Sequence, residues 1–255
     1  MNSLPYLLVF TFIGSVAGLI GGVILLFKER WAKALASISV PLAAGVLLSI
    51  SLLDLLPEAV EESGDIAYSI ILIVFVVFFL IENFLFYLHH HSDTRGGESH
   101  HGHSAKSIPL VILGDTIHNF LDGVAISASF IINPSLGLFV ALSTFLHETP
   151  HEIADFGILI NKGWTRKNAF LANFFSSLAT FPGAILTYYF ASKAESLIGI
   201  LLAVSAGLFL YIASTDFIPE IEHAFNKNIK KQALFLILGI CSVILIRVLI
   251  PEIGH

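Results

Sequence analysis

Eight runs of about twenty predominantly apolar residues follow one another along this chain, near 5–27, 36–56, 66–88, 108–131, 136–160, 167–191, 197–217 and 232–250. A helix needs about that length to cross ~30 Å of hydrocarbon, and only a segment that satisfies its own backbone hydrogen bonds can do so. The expected fold class is all-α: a polytopic membrane protein of eight transmembrane helices, one transmembrane domain over residues 1–255. With 56% hydrophobic and 13% charged residues, the chain is too apolar for a soluble domain of its size. Met1-Asn2-Ser3 lacks the basic region of a signal peptide, so the first run is expected to be kept as a span. Cys241, the one cysteine, excludes an internal disulfide and a cysteine-rich zinc site, and its apolar run predicts a buried thiol.

Lys and Arg set the orientation. Lys28, Arg30 and Lys33 lie between spans one and two, Arg95 and Lys106 between three and four, Lys162, Arg166 and Lys167 between five and six, and Lys227, Lys230 and Lys231 between seven and eight. Those eleven of thirteen basic residues make the odd-numbered connections cytoplasmic and place both termini outside. Lys193 is on the other side, and Arg247, near the end of span eight, is placed to snorkel. The outward connection between spans two and three holds Glu58, Glu61, Glu62 and Asp65 without a basic residue. It reads either as a solvated acidic loop or as a mouth that concentrates cations. The net charge of -6 is too clustered to say much about nucleic acid, and no nucleic-acid partner is expected. Residues 89–107 form a flexible His-rich cytoplasmic loop, with His89, His90, His91, His100, His101 and His103 as weak metal ligands on what is otherwise a polar linker.

A short motif recurs. Gly45 to Glu58 reads GVLLSISLLDLLPE and Gly207 to Glu220 reads GLFLYIASTDFIPE, which pairs Asp54 with Asp216, Pro57 with Pro219 and Glu58 with Glu220 at one constant offset. Because spans two and seven run in opposite directions, spans one to three and six to eight read as inverted repeats around spans four and five, a 3+2+3 plan suited to alternating access. Asp54 and Asp216 line the two approaches in one reading, and are simply capped or paired near an interface in the other.

Spans four and five hold polar clusters. Asp115, His118, Asn119 and Asp122 fall on one helical stripe. His147, His151 and Asp155 recur every fourth residue, with Glu148 and Glu152 alongside. His118 and His147 each lie about ten residues into a span, ~15 Å deep at about 1.5 Å per residue and so near the bilayer midplane. Ionisable groups at that depth cost several kcal/mol each and persist where they bind or move something. Imidazole with carboxylate suits Zn²⁺ first, with Fe²⁺, Mn²⁺ or Cd²⁺ as further candidates. His118, Asp122, His147 and His151 would make a tetrahedral shell, and Asn119 with Glu148 could hold a second ion sharing Asp122. Pro150 removes one helical hydrogen bond and is expected to bend span five. A polar network that merely joins helices needs one or two such groups, not nine.

His147-Glu148-Thr149-Pro150-His151 also satisfies H-E-x-x-H, the zinc motif of metalloproteases. Leu121-Asp122-Gly123 resembles the third-ligand motif of intramembrane metalloproteases, so an intramembrane zinc metalloprotease using 147–151 with Asp122 is the alternative. In that family the two motifs come in the opposite order, and Pro150 interrupts the first. The expectation is therefore not an enzyme.

Across nearly its full length the chain resembles the ZIP (Zrt-, Irt-like) family of divalent metal transporters. The resemblance rests on Gly114 to Gly123, GDTIHNFLDG, and on H-E-T-P-H-E-I-A-D at 147–155, similar to the H-E-x-P-H-E-x-x-D of one subfamily. It implies eight spans, outward termini, a His-rich loop between spans three and four, and movement of metal into the cytoplasm. His118, Asn119, Asp122, His147, Glu148 and His151 would line the transport site. Glu152 and Asp155 are added as ligands on their spacing, and Asp54, Glu58, Asp115, Asp216 and Glu220 as pathway residues. Some relatives complete a second metal position with a Glu on span six, whereas residues 168–192 here hold no Asp or Glu and offer Asn173, Ser176 and Ser177 instead. Zn²⁺ or a similar ion would be substrate, with no cofactor. Membrane lipid is a further partner, and the membrane is the plasma membrane or, in a bacterium, the inner one. Gly14, Gly18 and Gly22 form a small-residue stripe suited to helix packing or a homodimer contact.

Overall fold

The computed structural model describes residues 4–90, 108–191 and 196–249, which are helical nearly throughout and contain no strand. Span one is α1 (Leu4–Gly14), a 3-10 turn (Val16–Leu19) and α2 (Ile20–Phe27). Span two is α3 (Glu29–Ile50), a π-helical segment (Ser51–Leu55) and α4 (Leu56–Ser63). Span three is α5 (Ile66–His90), span four α6 (Ile108–Ile132) and span five α7 (Pro134–Asn161). Span six is α8 (Arg166–Ser177) with α9 (Thr180–Ala191), and span seven is α10 (Ser196–Ile212) with a second π segment (Ala213–Phe217). The last helix, α11 (Ile218–Leu249), finishes span seven and contains span eight, so the connection expected at Lys227 to Lys231 is helical rather than a loop.

Among the described residues five rods are long and apolar enough to cross a membrane: Leu4–Phe27, Glu29–Ser63, Arg166–Ala191, Leu197–Glu222 and Ile229–Leu249, with Ile66–Ile81 shorter. Such a set of helices is that of a multi-pass membrane protein. α6 and α7 fall outside the five because their own ionisable residues dilute an otherwise apolar sequence. The acidic stretch after Asp54 is helical, not a loop. Pro57 sits in the first turn of α4, directly after the π segment, and Gly64, at φ 69°, closes the turn to span three. Glu61, Glu62 and Asp65 are exposed on that helical end.

Asn133 alone joins spans four and five. Its side chain accepts the Ser135 N–H at 2.8 Å and caps α7 ahead of Pro134, as a helix-initiating asparagine does. This one-residue turn makes α6 and α7 an antiparallel hairpin. His118 lies fifteen residues before Asn133 and Glu148 fifteen after it, which sets the two clusters at one depth. α7 stays helical through Pro150 rather than ending there.

The packing comes in matching pairs: α3 lies along α11 and α5 along α10, while α6 packs on α8 and α9 and α7 on α1 and α2. The π segments are 162 residues apart, and Ser15 and Ser177, at the break in spans one and six, share that spacing. Ser15 Oγ donates to the Ser177 carbonyl at 2.6 Å. The Gly14, Gly18 and Gly22 stripe is turned inward against span four and span five: a Cβ at Gly14 would meet Ile126 and Thr144, one at Gly18 Glu148, and one at Gly22 Phe156. It is intramolecular packing, not a face offered to a second copy. Cys241, expected to be buried, is exposed.

Candidate metal site

His118 and Asp122 bracket the middle of α6, and His147 and Glu148 fall at the middle of α7. Their ligand atoms converge within 4.8 Å of one another. His118 Nε2 stands 2.9 Å from Glu148 Oε1, 3.2 Å from His147 Nε2 and 3.6 Å from Asp122 Oδ2. His147 Nε2 stands 3.2 Å from Asp122 Oδ2 and 3.6 Å from Glu148 Oε1. His147 and Asp122 are fully buried and Glu148 nearly so, while the His118 side chain keeps 13% exposure.

The protonation pattern favours a cation at that point. His147 Nδ1–H donates to the Ser143 carbonyl at 3.1 Å. Nε2 is therefore the unprotonated nitrogen of the neutral ring, its lone pair facing Asp122 and Glu148. Neither oxygen of Asp122 has a hydrogen-bond partner, and Glu148 Oε1 has the His118 Nε2 contact. Buried lone pairs and two carboxylates with so few donors are costly in the absence of a positive charge, and a divalent ion answers all of them at once.

Behind this group lies a second. Oxygens of Asp115, Glu148 and Glu152 also come within 4.8 Å of one another, so Glu148 belongs to both. Glu152 is 2% exposed and both of its oxygens lack a hydrogen-bond partner. The arrangement differs from the expected one in two respects. Glu148 takes the fourth place assigned to His151, whose ring lies nearby, 5.2 Å from that of His118, 6.0 Å from His147 and 4.9 Å from Phe217 between centroids. Asp115, expected on the pathway, joins the second group. Asn119 instead spans two neighbours: Nδ2 donates to Asp115 Oδ1 at 2.8 Å, and Oδ1 accepts from Thr180 Oγ1 at 3.2 Å. On span six, Ser176 pairs with Thr116 at 3.0 Å, and Asn173 and Ser177 are buried.

Two glycines bring the helices close enough. A Cβ at Gly18 would stand 2.7 Å from Glu148 Cβ, so the 3-10 turn of span one presses Glu148 toward α6. A Cβ at Gly123 would overlap the Thr180 carbonyl oxygen, so the contact of α6 with α9 next to Asp122 is backbone to backbone. The contacts of Ser143 and Thr180 escape sequence reading, and Gly18 reads there only as part of a packing stripe, because a carbonyl, a lone hydroxyl or a hydrogen atom in contact leaves no signature of the site.

The other expected pathway residues stand apart from this centre. Asp54, in the first π segment, is buried and paired with Arg247, whose Nε lies 3.3 Å from Asp54 Oδ1. Arg247 therefore crosses to span two instead of reaching for the interface, and pairing rather than an open approach describes Asp54 here. Glu58 is half-buried. At the other end Asp155 and Asp216 are half-buried and Glu220 is exposed. His89 and His90 end α5; the side chains of both, and all of His91, His100, His101 and His103, lie outside the described residues.

A family model described as ZIP zinc transporter matches residues 4–109 and 107–247. The chain belongs to the ZIP zinc transporter family. Among the relatives of this ZIP protein are human zinc transporter ZIP10, 36% identical over 146 residues, and the zinc transporter foi of Drosophila melanogaster, 41% identical over 141 residues, each match covering 55% of the chain. Rat zinc transporter ZIP4 is 40% identical over 119 residues, 47% of the chain. The matches span 18%, 20% and 18% of those longer proteins. Family membership gives no support to the protease reading. The unbroken helix through Pro150 removes one objection to it, but the H-E-x-x-H residues do not act together: His147 and Glu148 enter the group and His151 stands outside it.

Proposed function

We propose that this ZIP protein carries Zn²⁺, or a similar divalent transition-metal ion, across a membrane through the His118–Asp122–His147–Glu148 group. The convergence of those four ligand atoms at the middle of two antiparallel helices carries the reading. Two imidazoles and two carboxylates make a borderline-soft shell that prefers Zn²⁺ to Mg²⁺ or Ca²⁺. Asp115, Glu148 and Glu152 form an all-oxygen step beside it, and Glu148, common to both, lets the ion change partners without passing through a state with no anionic ligand. His151, Asn119 and Asp155 flank these steps.

Features matched at one spacing along the chain support an inverted 3+2+3 repeat: the D-x-x-P-E motifs, the π segments, the breaks at Ser15 and Ser177 and the paired packing. With basic residues inside and both termini outside, the outer part of α6 from Val124 to Phe130 is buried at 0–7% exposure. Toward the inner side Asp115, His118 and His151 are part-exposed. These burials fit a form closed on the outer side of the site. The metal gathers near Glu58, exchanges water for the span-four and span-five ligands, and leaves past Glu152, Asp155, Asp216 and Glu220 toward the His-rich loop of 89–107. The repeats move around the site. No nucleotide-binding motif is present, so the metal gradient, the membrane potential or coupled protons drive the flux. The plasma membrane or bacterial inner membrane houses the chain.

The test is Zn²⁺ uptake into proteoliposomes by the full chain and by His147→Ala and Asp122→Ala. Uptake should fall to background in both; undiminished uptake in both overturns the site.

A further inference from the structure

At the inner end of spans one and six the helices part. They touch at Ser15 and Ser177, and about a dozen residues further on a cleft of about 310 Å³ opens between Val23, Leu26 and Phe27 of α2 and Arg166, Lys167 and Phe170 of α8. That volume is at the lower end of ordinary ligand pockets. We propose that this cleft seats an anionic glycerophospholipid, an acyl chain between the two spans and the phosphate against Arg166 and Lys167.

The walls are apolar, and they belong to helices whose surroundings are hydrocarbon. A gap between two lipid-facing spans is filled there by acyl chain rather than water. Its rim is cationic: Arg166 and Lys167 are exposed and make no ion pair among the described residues. The flanking connections add Lys28, Arg30, Lys33 and Lys162, against Glu29 as the one acid, and Glu29 is taken up by Lys33. Charge complementarity therefore selects an anionic headgroup over a zwitterionic one. Phe27 and Trp31 are 79% and 62% exposed. Lys28 Nζ lies 4.3 Å from the Trp31 ring, an interfacial arrangement of aromatic and cation. Trp164, the other tryptophan, packs with Leu26 and Phe170 beneath the cleft. That small cluster also contains Phe156 of α7, two turns from Glu148. A seated lipid would thus brace spans one and six against the helix that carries the metal ligands. The leaflet, facing the cytoplasm, rests on the orientation proposed above; occupancy of the cleft does not.

The test is native mass spectrometry of the metal-free full chain titrated with dioleoylphosphatidylglycerol, dioleoylphosphatidylcholine or glycerol phosphate. Wild type should retain phosphatidylglycerol well above phosphatidylcholine and should not retain glycerol phosphate. Arg166→Gln with Lys167→Gln should weaken phosphatidylglycerol about thirtyfold, from the usual contribution per basic residue. The charge-matched control Lys227→Gln with Lys230→Gln, in the other basic connection and not among the residues that line the cleft, should stay within about threefold. Val23→Trp, which fills the cleft and keeps both charges, should weaken it as well. Equal retention of both lipids, an equal loss in the control, an unchanged Val23→Trp or competition by glycerol phosphate overturns the proposal. Because no metal is present, each of these failures leaves the transport reading untouched.

Discussion

Asp122→Asn should stabilise the metal-free protein and abolish its response to zinc. Asp122 is fully buried, neither of its oxygens has a hydrogen-bond partner, and Oδ2 faces the His147 Nε2 lone pair at 3.2 Å. An amide in its place is neutral and can donate to His147 Nε2, a gain of about 1 kcal/mol for the hydrogen bond alone. With zinc the sign reverses. Free metal at ~100 times Kd stabilises the wild type by about 2.7 kcal/mol, or about 5–11 °C in the unfolding midpoint of a chain this long. Loss of an anionic ligand weakens Kd at least as much as the ~100-fold that a missing second-shell partner can cost. At the same free zinc that leaves about 0.4 kcal/mol, roughly 1 °C. Thermal unfolding in detergent at pH 8, with a chelator and then with buffered zinc, measures both numbers. A variant less stable than wild type without metal, yet still shifted by the full amount with it, would refute the reasoning.

Other perturbations follow from the same geometry. Gly18→Leu drives a side chain into Glu148 and should cost about 1–3 kcal/mol by overpacking while weakening zinc binding in calorimetry; unchanged affinity would detach Gly18 from the site. Arg247→Gln leaves Asp54 buried and unpaired, a loss of about 3–5 kcal/mol in the denaturant-unfolding free energy. Adding Asp54→Asn should recover most of it, and additive losses in the double variant would show that the pair does not couple. Acidification should release the metal, because each ligating imidazole must shed its proton to bind the ion, at up to one decade of affinity per pH unit wherever the ring is protonated. With His118 and His147 as ligands, zinc affinity at pH 5.5 should be at least tenfold below that at pH 7.5; a flat profile would rule out ligation by the imidazoles.

How far such a site is legible in sequence depends on which question the residues answer. Length and hydropathy answer how many spans there are and at what depth a residue sits, so the clusters at 118–122 and 147–155 fall together without any structure. Rotation is harder. His147, Glu148, His151 and Glu152 cover about 140° of one helix at about 100° per residue, so either neighbour of His147 can turn toward His118. The choice of Glu148 over His151 is made by contacts that leave no periodic trace: Gly18 pressing on Glu148, and Phe217 packed at a tilt against His151. Burial is opaque for a related reason. An apolar run reads the same whether it faces protein or lipid, since lipid tails are as apolar as leucine, and Cys241 is accordingly exposed where a soluble protein would bury it. Asp54 marks the opposite limit. Its recurrence as Asp216 is visible, but its partner Arg247 lies at the far end of the chain, and no local pattern pairs them. The two π segments show what the motif encodes beyond its letters. In each copy the helix widens just before a proline that cannot donate, which frees a carbonyl and turns the aspartate off the regular stripe. One copy is buried against an arginine and the other is half-buried, so the same local sequence holds two environments in one chain.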